Sequence, residues 1–104
     1  MSTRRSGQQV QSGGVELTNS DVTPFASKKV GGGTWEYGTK KSGGYKTAYS
    51  YYWHPTKTHG ASAQVGATTP ARACVAKDKV ARAEKKRKSN ETAYVYWNTT
   101  CKLK

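Results

Sequence analysis

The sequence predicts an all-β protein. In two segments, residues 45–54 and 91–98, the side chains alternate between two faces as in a strand, and glycine or proline residues separate the predicted strands. In residues 45–54 similar side chains recur at every second position, as in a pleated strand. One face of this segment consists of β-favouring residues, namely Tyr45, Thr47, Tyr49, Tyr51 and Trp53. The other face carries Lys46, Ala48, Ser50, Tyr52 and His54. Because cross-strand ring pairs stabilise a sheet, we expect the first face to form the core and Tyr52 to remain outside.

The chain of 104 residues has the length of a single domain. Its first 30 residues are rich in Ser, Thr, Gln and Gly and lack any regular alternation. This composition predicts a disordered or loosely attached N-terminal arm. Three consecutive glycines, Gly31, Gly32 and Gly33, predict a flexible junction. Residues 31–104 are expected to form the folded domain.

Short strands are expected on both sides of the central segment. Residues 34–37 are a β-favouring run, and residues 39–44 predict a turn. Pro55 ends the central strand, since it cannot donate to a ladder. Residues 58–66 predict the return strand, with a hairpin loop at residues 55–57.

The segment 71–88 allows two interpretations. Its Ala, Lys, Arg and Glu favour a helix, whereas the alternation in residues 79–84 suits an edge strand. Residues 91–98 then predict a last strand, in which Tyr94 or Tyr96 lies outside. The inner face of that strand consists of Ala93, Val95 and Trp97.

The balance of charges is strongly positive, with 18 Lys and Arg against 6 Asp and Glu and a net charge of +12. Such a field attracts polyanions, including nucleic acid, anionic lipid and phosphorylated wall precursors. The longest apolar run, residues 93–97, is too short to span a bilayer. Polar residues follow Arg4 and Arg5 where an export signal needs an apolar stretch, so either the chain is cytosolic or a leader has been removed.

No enzymatic activity, metal or cofactor is expected. The carboxylates are scattered, and no arrangement suggests a catalytic triad. Cys74 and Cys101 lack a CxxC pattern and a histidine at zinc-like spacing, so they predict a disulfide in an exported protein or two thiols in a cytosolic one. His54 and His59 lack a third ligand, which leaves turn packing, surface hydrogen bonding or contact with a target.

Three pieces of the sequence resemble the lactococcin 972 family of bacteriocins. They are GGTWEYG at residues 32–38, YSYYWHPTKTHG at residues 49–60 and AYVYW at residues 93–97. The resemblance covers residues 31–97 and implies a secreted protein folded as a small antiparallel β-sandwich. It also implies killing of related Gram-positive bacteria by interference with cell-wall synthesis, with the wall precursor lipid II as the suggested target.

The resemblance settles two choices that composition leaves open. Residues 80–83 match a strand of the family, and this match overrides the helical propensity of the segment. Because the family is exported, a disulfide between Cys74 and Cys101 is favoured over two thiols. The chain departs from the family in its arm, its cysteines and its continuation to Lys104.

Two groups of residues are candidates for contact with an anionic envelope component. The first is a basic run in a predicted turn, Lys85, Lys86, Arg87 and Lys88, for which a solvated edge is the alternative interpretation. The second surrounds the central motif and consists of Tyr52, His54, Lys57 and His59. We expect a secreted monomer; a small basic nucleic-acid-binding module or a cell-surface structural protein are the alternatives.

Overall fold

A computed structural model describes residues 11–17, 26–66, 69–88 and 91–103. These residues form eight β-strands and no helix, which confirms the all-β prediction. The strands are β1 (Ser12–Leu17), β2 (Ala26–Val30), β3 (Gly33–Ser42), β4 (Tyr45–Trp53), β5 (His59–Val65), β6 (Ala71–Val75), β7 (Val80–Arg87) and β8 (Ala93–Asn98).

The strands form two four-stranded sheets that pack face to face. The first sheet has the order β1-β8-β5-β6 and the second has the order β2-β3-β4-β7. Every pairing is antiparallel. The buried apolar side chains come from both sheets and form one cluster between them, so the expected β-sandwich is confirmed.

Two-residue glycine turns connect the first three strands of the second sheet. Gly31 and Gly32 have φ angles of 60° and 90°, and Gly43 and Gly44 have φ angles of 59° and 83°. Positive φ at both central residues is the requirement of a tight hairpin turn, which glycine meets without steric cost. The glycine triplet is therefore part of a hairpin and not a linker. The turn expected over residues 39–44 consists only of Gly43 and Gly44, because residues 39–42 belong to β3.

Two segments of the predicted arm are strands. β1 pairs with β8, and β2 pairs with β3, so the boundary expected at residue 31 falls inside a hairpin. Leu17 is buried in the core, with Val15 and Val30 packed against it. Residues 12–17 and 26–30 thus differ from the loose arm expected from composition, because pairing with β8 and β3 holds them in the sheets. Residues 1–10 and 18–25 lie outside the described residues.

The inner face of β4 is the opposite of the predicted one. Lys46, Ala48, Ser50 and Tyr52 are buried, whereas the face with more aromatic rings points outward. Its cross-strand neighbours on β7 explain this orientation. Tyr51, Tyr49 and Thr47 lie opposite the charged residues Arg82, Glu84 and Lys86, and burial of that face would take these charges out of water.

Ser50 links the two sheets through its side chain. The Trp35 indole N–H donates to Ser50 Oγ at 2.8 Å, and Ser50 Oγ donates to the Tyr96 carbonyl of the first sheet at 2.8 Å. Trp35 and Trp97 are both buried, as predicted. The Tyr52 ring lies 5.1 Å from that of Trp97, and its hydroxyl donates to the Val30 carbonyl at 2.8 Å.

The connection after β4 crosses from the second sheet to the first. β4 pairs with β3 and β7, whereas β5 pairs with β6 and β8. The hairpin predicted at residues 55–57 is therefore wrong, although the inward residues of β5 are those expected, namely Ala61, Ala63 and Val65. Residues 71–88 contain the two strands β6 and β7, so the family resemblance predicted this segment correctly.

A disulfide joins Cys74 of β6 to Cys101 beyond β8. It passes over β5 at Gly60, where an added Cβ would lie 3.0 Å from Cys101 Sγ. Asn98 Oδ1 accepts the N–H groups of Thr100 at 3.2 Å and Cys101 at 3.0 Å, which turns the chain back toward β6. The predicted pairing is thus present in the structure.

Replacement of both cysteines by alanine should lower the free energy of unfolding by about 3.5 kcal/mol, because the bond closes a loop with a sequence separation of 27. Intact mass with and without reductant reports the bond, and urea unfolding reports the loss. Two free thiols in the native protein would contradict the structure.

Leu17→Ala should cost about 2–3 kcal/mol of stability, because Leu17 belongs to the core cluster. Glu16→Ala is the matched control on the exposed side of β1 and should change stability by less than about 0.5 kcal/mol. Equal, small effects in urea unfolding would mean that β1 contributes nothing to the fold.

Candidate target-binding face

Three of the four central candidates lie in the core. Tyr52 and His59 are 0% exposed and His54 is 3% exposed, whereas Lys57 is exposed. Burial raises the pKa of Tyr52 to about 12. The inward face of β4 and the crossing connection enclose these three side chains, which differs from the exposed position expected of them.

Both histidines organise the connection between the sheets. His54 Nδ1 accepts N–H groups from Thr56 at 3.1 Å and Lys57 at 3.0 Å, and its Nε2–H faces the Gly31 carbonyl at 3.0 Å. His59 faces the carbonyls of Lys57 at 2.8 Å and Lys79 at 2.5 Å. These bonds hold two loops and a hairpin turn together at one end of the sandwich, which is the turn-packing interpretation.

The basic run lies mainly in β7, an edge strand, and not in a turn. Strand alternation places Lys85 and Arg87 on the inner side and Lys86 on the outer side. Lys85 is half-buried, and Arg87 forms an ion pair with Glu91 at 3.2 Å. Lys88 is exposed just beyond the strand. The four cations therefore do not form one patch.

Lys46 is buried on the inner side of β4, next to Arg87 of β7. Lys46 donates from Nζ to the Glu91 carbonyl at 2.8 Å, and it pairs in register with Lys41 and Arg87. Burial, and less strongly the charge of Lys41, lowers the pKa of Lys46. Sequence reasoning missed this cluster because the inner face of β4 had been assigned to the outside.

The outer face of the second sheet carries an aromatic ridge, which we define as Tyr45, Tyr49, Tyr51 and Trp53 of β4. All four side chains are half-buried or exposed. The rings of Tyr49 and Tyr51 stack with their centroids 5.4 Å apart. The ridge runs along one face of β4, with Thr47 between Tyr45 and Tyr49.

Cations of β7 flank the ridge. Arg82 lies over the Tyr51 ring at 5.8 Å, and Lys86 lies over the Tyr45 ring at 4.9 Å, both within the range of a cation–π interaction. The Tyr51 hydroxyl donates to the Glu84 carboxylate. Burial and this hydrogen bond raise the pKa of Tyr51 to about 12, so the Tyr51 hydroxyl stays protonated at physiological pH.

A shallow cavity of about 290 Å³ opens at one end of the ridge. Its lining comes from three neighbouring strands and consists of Thr34, Glu36, Tyr51, Trp53 and Val80. A larger apolar cleft, of about 430 Å³, lies between the edge strands β1 and β2 beside Trp35 and Trp97. Glycine backbone forms much of that cleft, because Gly13, Gly14, Gly31 and Gly32 lack side chains to close it.

The described residues contain no group of three or more His, Cys, Asp and Glu side chains that could hold a metal ion. In the same residues no helix has the length and apolar character needed to cross a membrane.

The comparison with protein families identifies the chain. The family model described as a bacteriocin of the lactococcin 972 type matches residues 31–97. The match includes β3 to β7, the ridge and the cavity, whereas β1, β2 and Cys101 lie outside it. Neither the curated proteins nor the solved structures contain a match to the chain. The chain belongs to the lactococcin 972 family of bacteriocins.

Proposed function

We propose that this protein is a secreted bacteriocin that binds the envelope of Gram-positive bacteria and interferes with cell-wall synthesis through lipid II. Membership of a bacteriocin family supports the antibacterial role. The observation that carries the binding role is the outer face of the second sheet, where an aromatic ridge lies beside Arg82 and Lys86.

The chemistry of this face suits a wall precursor at a membrane surface. Tyrosine and tryptophan have an apolar body and a polar edge, which favours the interface between lipid and water. Lysine and arginine attract the phosphate groups of lipid II and of anionic lipids. Since rings and cations are suited to contact with a ligand, we propose that the protein acts by binding and not by catalysis.

The protein should inhibit Gram-positive cells without releasing dye from vesicles, because we expect the folded sandwich to bind the membrane surface through its outer face. We expect it to bind vesicles that contain lipid II more tightly than vesicles of the same charge without it. Rapid dye release at inhibitory concentrations, or equal binding to both vesicles, would contradict the proposal. Tighter binding to single-stranded nucleic acid than to either vesicle would favour the nucleic-acid-binding alternative.

Neutralising the two cations that flank the ridge, Arg82→Gln with Lys86→Gln, should weaken binding to lipid II vesicles about 30-fold, at about 1 kcal/mol for each cation. The pair Lys85→Gln with Arg87→Gln removes the same charge from the inner side and is the matched control. This control pair should weaken binding several times less, because screening at physiological salt limits charge interactions to about 8 Å and the inner side faces away from the bound phosphate groups. Equal losses in the two pairs would show that only net charge matters.

A further inference from the structure

The cavity at the end of the aromatic ridge is a coherent site on the outer side of three strands. Thr34, Trp53 and Val80 lie opposite one another in register across β3, β4 and β7. Glu36 and Tyr51 form the next outward-facing row of the same sheet. The lining therefore comes from paired strand residues, which hold their side chains more rigidly than a loop does.

Two polar groups of the cavity are not used by the fold. Among the residues that the structure describes, none donates a hydrogen bond to the Glu36 carboxylate and none accepts one from the Trp53 indole N–H. Glu84, the other carboxylate of this face, instead accepts the Tyr51 hydroxyl. The cavity thus offers a free acceptor and a free donor beside two aromatic rings.

The free Glu36 carboxylate, the free Trp53 indole N–H and the two aromatic rings together indicate the chemical class of ligand that the cavity binds. A carboxylate is an acceptor without donors, so it attracts hydroxyl groups and repels phosphate. Glu36 is the single charged residue among the described residues that line the cavity. Aromatic rings provide flat apolar surfaces, which match the C–H face of a pyranose. A volume of about 290 Å³, near the lower end for small-molecule pockets, suits one sugar ring.

We propose that this cavity binds a pyranose ring of the bacterial wall glycan, with the ring stacked on Trp53 or Tyr51 and a hydroxyl donating to Glu36. The inference rests on the proposed function for the source of the sugar and adds the part of the target that is recognised. Arg82 and Lys86 then contact the phosphate groups, while the cavity binds the sugar. Recognition of the sugar is independent of net charge, because a neutral ligand gains nothing from the field of these two cations.

The test is calorimetric titration of the intact protein with the neutral β-1,4-linked tetrasaccharide of N-acetylglucosamine. The parent should bind, and Glu36→Gln and Trp53→Ala should each weaken binding at least tenfold. Tyr96→Ala, an exposed tyrosine of β8 in the other sheet, is the matched control and should bind as the parent does. Circular dichroism and thermal unfolding show which variants are folded and can be compared. If Trp53→Ala loses stability, Glu36→Gln still tests the site, because it preserves the shape of the side chain.

The possible outcomes separate this inference from the proposed function. A parent that binds lipid II vesicles and kills cells but does not bind the tetrasaccharide would overturn the sugar site and leave the function standing. Loss of sugar binding in Tyr96→Ala equal to that in Trp53→Ala, or competition by inorganic pyrophosphate, would also overturn it. Sugar binding that depends on Glu36 and Trp53 supports the site, even in a protein that fails to inhibit growth.

Discussion

The orientation of β4 is the constraint on which the rest of the structure depends. Ser50 lies at its centre, accepts a hydrogen bond from the Trp35 indole and donates one to the first sheet at the Tyr96 carbonyl. Rotation of the strand to its other face would break both bonds and leave buried polar groups without partners. The same orientation puts Tyr52 against Trp97 and exposes the aromatic ridge, so core and candidate binding face are two sides of one strand.

The orientation also gives both histidines a structural role. Once Tyr52 points inward, His54 follows it into the same layer and accepts the N–H groups of the crossing connection. His59 begins the next strand and faces the carbonyls of two loops. The motif shared with the family therefore encodes the passage between the sheets as well as the strand. Two of its aromatic residues, Tyr51 and Trp53, line the cavity.

The sequence predicted those parts of the fold that depend on local pattern. The inner residues of β8 follow from alternation, and the disulfide follows from two cysteines in a chain that resembles an exported family. The orientation of β4 could not be read from that strand alone, since both of its faces carry rings and the decision comes from charged partners such as Arg82 and Glu84. The arm was misread because β1 and β2 gain their stability from pairing and not from their own composition. The orientation of β4 also bears on the candidate site. Of the central candidates Tyr52, His54, Lys57 and His59, only Lys57 is exposed, whereas the rings expected in the core lie on the outer face.

The measurement that tests this account most directly is hydroxyl-radical footprinting of the native protein, read by mass spectrometry at single residues. Tyr45 and Tyr52 lie on opposite faces of one strand, at 40% and 0% exposure, and are a matched pair of identical chemistry. The account predicts rapid oxidation of Tyr45 and Trp53 and protection of Tyr52 and Trp35 until the protein unfolds. Oxidation of Tyr52 as fast as that of Tyr45 would show that β4 faces the other way and would remove the basis for the outer binding face.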